Sequence, residues 1–167
     1  MGELLEAWSE FNVAMVGATA ALAGLLIVAM SVNIATILQS PTLPARAAAS
    51  IATLVLAIAV TGLALAPGLA AWVYGLIVLV AAAGTSVFEL HAIRVIRHDS
   101  SAHGGTPGER VAKSIAGVVP LVVYLVGAVA LLAGATALGL WSLAVATILA
   151  IASAILYAWI VLVEVLR

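Results

Sequence analysis

Residues 47–90, AAASIATLVLAIAVTGLALAPGLAAWVYGLIVLVAAAGTSVFEL, decide the fold. The stretch holds no Lys or Arg, and its one acid, Glu89, stands beside its end. Pro67-Gly68 interrupts it midway. Each half has about 20 residues, enough for a helix to cross a hydrocarbon core of about 30 Å. In lipid no water can pair the backbone, so each half must pair its own and form a helix. The stretch therefore predicts a helical hairpin that turns at Pro67-Gly68.

Working outward, residues 12–38 precede this hairpin, and residues 114–137 and 140–163 follow it, as further apolar runs without Lys or Arg. With 47–66 and 70–90 they make five expected spans. Ser40-Pro41-Thr42-Leu43-Pro44 separates the first two, and Leu138-Gly139 is the expected turn between the last two. In the polar stretch 91–113, Thr106-Pro107-Gly108-Glu109 reads as a helix start, with Thr as cap, Pro first and Glu third. The expected fold is all-α: a polytopic transmembrane helical bundle of about five spans, one domain over residues 1–167.

Composition agrees. Of 167 residues 66% are hydrophobic and 8% charged, with a mean hydropathy of +1.32. A soluble domain carries about 25% charged residues, so lipid bilayer is the expected surrounding. A net charge of −1 offers no basic field for nucleic acid. With no cysteine, disulfides and thiolate chemistry are excluded.

The basic residues set the orientation. Arg46, Arg94, Arg97, Arg110, Lys113 and Arg167 all fall on one side of a five-span chain. The positive-inside rule makes that side cytoplasmic, with the amino terminus outside and the carboxyl terminus inside. The expected location is a bacterial inner membrane. Trp8, Phe11, Trp72, Tyr74 and Trp141 then form an outer aromatic belt, and Phe88, Tyr157 and Trp159 an inner one. Tyr124 alone falls near mid-membrane, where its hydroxyl needs a partner. The opening residues, MGELLEAWSEF, lack the basic segment of a cleavable signal peptide. Glu3, Glu6 and Glu10 share one helical face and Leu4, Trp8 and Phe11 another, which predicts a short amphipathic helix on the outer leaflet. Residues 46–94 and 113–167 read alike, each a hairpin with a Trp at its turn and a Glu near its end. Such a pattern suits either a parallel repeat or any two hairpins facing the same side.

The candidate polar pathway or inter-helix ion pairs comprise Asn33, Glu89, His91, Arg94, Glu164 and Arg167. A carboxylate in a span is costly unless paired, so Glu89 and Glu164 imply either structural pairs with Arg94 or Arg167, or an ion or proton route. Pro120 is a candidate hinge, because a proline frees a carbonyl and bends its helix. Gly17, Ala21 and Gly24, and Ala146, Ala150, Ala154 and Ala158, recur at helical spacing as candidate packing faces, within one chain or between copies of a homo-oligomer. No histidine pair has ligand spacing, and no nucleophile–base or paired-acid motif occurs. Neither metal nor cofactor nor enzymatic activity is therefore expected.

The segments Phe11-Asn12-Val13, Val16-Gly17-Ala18, Gly24-Leu25-Leu26 and Ser31-Val32-Asn33 resemble the first helix of small multi-pass bacterial membrane proteins of unassigned function. Some of these are labelled modulators of a membrane protease. The resemblance implies a membrane setting and no particular functional residue. Two functions fit the sequence: an oligomeric ion channel or transporter with a polar cytoplasmic mouth, or an accessory protein that binds other membrane proteins through its helices.

Overall fold

The structure, a computed structural model, describes residues 7–39, 42–98 and 107–165. Six helices occur among them: α1 Ser9–Val32, α2 Ile34–Gln39, α3 Leu43–Leu63, α4 Ala71–His98, α5 Pro107–Leu132 and α6 Thr136–Val165. All but α2 are long and apolar enough to cross a membrane. Prolines start two of them where the sequence suggests. Pro44 lies in the first turn of α3, and Pro107 opens α5. A proline costs nothing there, since its missing N–H would have had no helical partner.

The outer surface is apolar. Leu25, Val32, Leu38, Val80, Val87, Trp141 and Trp159 are all exposed. Water would penalise so continuous an apolar surface, whereas lipid does not. The protein is a multi-pass integral membrane protein. Between lipid-bathed helices no hydrophobic drive remains, so cohesion must come from close packing and hydrogen bonds.

Helices α3 to α6 form an antiparallel four-helix bundle in which consecutive helices pack together and α6 closes against α3. α1 lies outside this ring, against α3 and α6. Only 17% of its spanning residues are buried, against 33–44% for the other four spans, so α1 is the peripheral member. Two contacts tie the ends. Trp8 meets Trp141 edge-on, with ring centroids 4.9 Å apart, and the Tyr157 hydroxyl donates to the Leu43 carbonyl at 3.0 Å. The first marks a tryptophan end; the second marks a basic end, where Arg46 lies in the first turn of α3.

Close approach needs small residues. Ala146, Ala150 and Ala154 are buried to 2% exposure or less, so their stripe faces the bundle interior and is used within one chain. Ala158 at its end is half-buried. Gly17, Ala21 and Gly24 instead point outward from α1, and a Cβ at Gly17 or Gly24 would meet nothing within 4 Å.

The Tyr124 hydroxyl finds its partner in Thr147 Oγ1 at 3.0 Å, and Thr147 in turn bonds the Leu143 carbonyl at 2.9 Å. The Tyr74 hydroxyl donates to the Val60 carbonyl at 2.9 Å. Tyr124→Phe is expected to cost about 1 kcal/mol, the net worth of one such bond. Thermal melting in detergent checks this, and Thr147→Val should add less in the Tyr124→Phe background than alone.

Three boundaries differ from expectation. The last turn lies at Ala133–Ala135, not at Leu138-Gly139, which is inside α6. Gly134 takes φ +81°, open to glycine, and its N–H bonds Leu131 O while that of Ala135 bonds Ala130 O, a glycine-closed helix end. Gly139 serves packing instead: its Cβ would lie 2.6 Å from Leu131 Cγ. The first span breaks at Asn33, whose Nδ2 and backbone N–H both bond the Ala29 carbonyl. An amide that competes for a backbone partner in this way interrupts a helix. The third span runs on to His98. Glu3, Leu4 and Glu6 of the expected amphipathic helix lie outside the described residues, as do His103, Thr106 and Arg167; Glu10 is exposed at the start of α1.

Candidate functional site

At the basic end the four bundle helices part around a cavity of about 200 Å³. Arg46, Ala49, Ser50 and Thr53 face it from α3, and Glu89, Ala92 and Ile96 from α4. Ala116 and Gly117 contribute from α5, and Ala150, Ser153, Ala154 and Tyr157 from α6. On α3, α4 and α6 these residues recur at spacings of three, four and seven, which places each of the three sets on one helical face. The volume follows from side-chain size. Alanines and a glycine occupy positions that Leu or Val fill elsewhere in the core.

Among the described residues Glu89 is the charged residue drawn deepest into this face, at 9% exposure. Its carboxylate occupies a niche left by the missing side chain of Gly117, where a Cβ would sit 2.6 Å from Glu89 Cδ. Arg46 lines the same cavity from α3. The guanidinium also lies over the Tyr157 ring, with Cζ 5.7 Å from its centroid, a cation–π arrangement. A buried carboxylate thus has an opposite charge nearby, supplied by α3 instead of its own helix.

Pro120 bears on the same wall. Lacking an N–H, it leaves the carbonyl four residues earlier, Ala116 O, without its helical donor. Ser153 Oγ of α6 donates to that carbonyl. An orphaned acceptor in lipid is costly, so Ser153 completes α5 from outside. Ser153→Ala should cost about 1–3 kcal/mol by leaving a buried acceptor bare. Ser153→Thr, which keeps the hydroxyl, should recover most of the melting temperature.

A void of about 10 Å³ near the tryptophan end, bordered by Trp8, Asn12, Thr61 and Thr147, is too small for a ligand. Leu56, Val78, Ala82, Leu121 and Tyr124 fill the bundle between the two. The cavity is therefore one-ended.

Among the described residues, Glu89 is the one polar sequence candidate that lines the cavity. His91 and Arg94 are exposed on α4, and Asn33 is half-buried at the end of α1. Glu164 lies on α6, but its side chain, like Arg167, is outside the described residues. Pro120 is buried in α5 behind the cavity wall. Sequence reasoning did not single out Arg46, Gly117, Ser153 or Tyr157 as a group. One signal was present: Ser153 and Tyr157 flank the Ala150 and Ala154 stripe that marks the buried face of α6.

Comparison with known proteins gives no match to a family model, a curated protein or a solved structure.

Proposed function

We propose that the protein is a small-solute transporter that loads through the cavity at its basic end. The supporting observation is the cavity's one-ended shape. Four helices converge on a charged, solute-sized space, and a filled core separates it from the opposite end. A carrier needs such a site, with access that alternates; an open channel needs a continuous path. The closed core therefore favours carrier over channel. The positive-inside rule makes the loading side cytoplasmic.

Reconstitution into proteoliposomes tests the reading. Preloaded vesicles should show counterflow of at least one small polar solute, and Ser50→Leu, which fills the cavity, should abolish it. Absence of any flux across a panel of amino acids, amines, organic acids and inorganic ions argues for the alternative, an accessory protein. That reading draws on the outward small-residue face of α1 at Gly17, Ala21 and Gly24, which lets another helix approach closely. It predicts that Gly17→Leu with Gly24→Leu removes co-purifying membrane proteins or the homo-oligomer.

A further inference from the structure

We propose that the void at the tryptophan end holds one structural water molecule, which joins the carboxamide of Asn12 on α1 to the hydroxyls of the bundle.

Asn12 is a polar residue on the span that buries the smallest share of itself. It is nonetheless only 7% exposed, and it borders the void. Its backbone N–H bonds the Trp8 carbonyl at 2.9 Å, while its carboxamide has no hydrogen bond among the described residues. Two amide donors and an acceptor left in that state, away from water, are costly.

The hydroxyls around the void have already committed their protons. Thr61 Oγ1 donates to the Ala57 carbonyl at 2.7 Å, and the Tyr74 hydroxyl to the Val60 carbonyl at 2.9 Å. Thr147 Oγ1 donates to the Leu143 carbonyl at 2.9 Å, so the Tyr124 hydroxyl donates to Thr147. Thr61, Tyr74 and Thr147 all border the void. Each can offer a further partner only its oxygen, as an acceptor.

The occupant must therefore donate to hydroxyl oxygens and also pair with a carboxamide. Water does both. About 10 Å³ reaches the roughly 10–15 Å³ at which a polar cavity admits one water molecule. None of the described residues bordering the void is charged, so a bare cation would find no opposite charge to offset its lost hydration. A bridging water is nearly as favourable as a direct hydrogen bond. Here it gives the peripheral helix a polar joint to α3 through Thr61, to α4 through Tyr74 and to α6 through Thr147.

Solid-state NMR of the full chain in phosphatidylcholine bilayers tests the assignment. The sequence has two asparagines, at 12 and 33. Asparagine labelled at its amide nitrogen, in an Asn33→Gln background, therefore reports Asn12 alone. Labelled tyrosine gives the Tyr124 backbone amide, in the filled core, as the dry reference. Polarisation from water should reach the Asn12 carboxamide at least about threefold faster than Tyr124. Ala144→Val adds two methyl groups beside the void. It should displace the water and lower the rate to that of Tyr124. Thr61→Val keeps the volume, removes one acceptor and should lower the rate by about half.

Transfer no faster than to Tyr124 overturns the proposal. So does a rate that neither variant changes in monodisperse protein, since the water is then that of the headgroup layer. A fall in either variant supports it, even where the other does not fold. Melting raised by NaCl but not by KCl, and no longer raised in Asn12→Leu, assigns the void to a cation and overturns the water.

Discussion

Gly117→Ala should lower the stability of the bundle by about 1–3 kcal/mol, the usual cost of overpacking a close-packed core. The added methyl would stand 2.6 Å from Glu89 Cδ, inside the space the carboxylate occupies. The helix of Glu89 is itself held by packing on both sides, so the side chain has to yield, and the space open to it is the cavity it lines. The carboxylate must therefore leave its niche and move relative to Arg46. Thermal melting in detergent reads the loss. In a Glu89→Ala background the methyl of Gly117→Ala has room, so its added cost should fall to a small fraction of that in wild type. Wild-type melting of the single Gly117→Ala variant would show that Glu89 is not seated there.

Gly75→Leu should be comparably damaging for a different reason. A Cβ on Gly75 would lie 2.8 Å from Leu131 Cβ, 3.1 Å from the Ala128 carbonyl oxygen and 3.4 Å from Leu132 N. Two of these are backbone atoms of α5, and a backbone cannot rotate aside as a side chain can. α4 and α5 must move apart, which loses dispersion contacts along their whole seam. Overpacking a close-packed core costs about 1–3 kcal/mol and occasionally more, and the upper part of that range is expected here. Gly17→Leu is the control. A Cβ there meets nothing within 4 Å and the position is exposed, so a monomer should tolerate it within about 0.5 kcal/mol. Melting temperature and yield of monodisperse protein measure both variants.

Most of the fold was legible in the sequence because lipid removes alternatives. A long run without charge has one outcome, a helix, and prolines at 44, 67 and 107 mark where helices begin or chains turn. The turn before α6 was misplaced for a physical reason. Gly134 and Gly139 are both glycines near a hairpin tip, but one is needed for its backbone angle and the other for its lack of a side chain. Sequence does not distinguish these needs. The site was only partly legible. Glu89 declared itself as a carboxylate in an apolar run. Its surroundings did not, because Arg46, Gly117 and Tyr157 are distant along the chain and meet only through the closure of α6 on α3. Arg94 and His91 are near Glu89 in sequence, but their positions on α4 turn them outward. The alanine stripe of α6 showed which face is buried without showing that its neighbour would be α3 and not a second subunit.

The bond from Ser153 to Ala116 bears on how the protein enters the membrane. While α5 stands alone in lipid, the carbonyl freed by Pro120 has no donor, and the Tyr124 hydroxyl lacks Thr147. Both partners, the Ser153 hydroxyl that donates and the Thr147 hydroxyl that accepts, reside on α6, the next helix to be synthesised. Partition of α5 into the bilayer by itself therefore carries a polar burden that α6 relieves. The energetically easier course is for the two helices to leave the insertion machinery together, as a hairpin already joined at Gly134. Weakening either bond should thus show first as poor insertion of the last two spans, before any change in the finished protein.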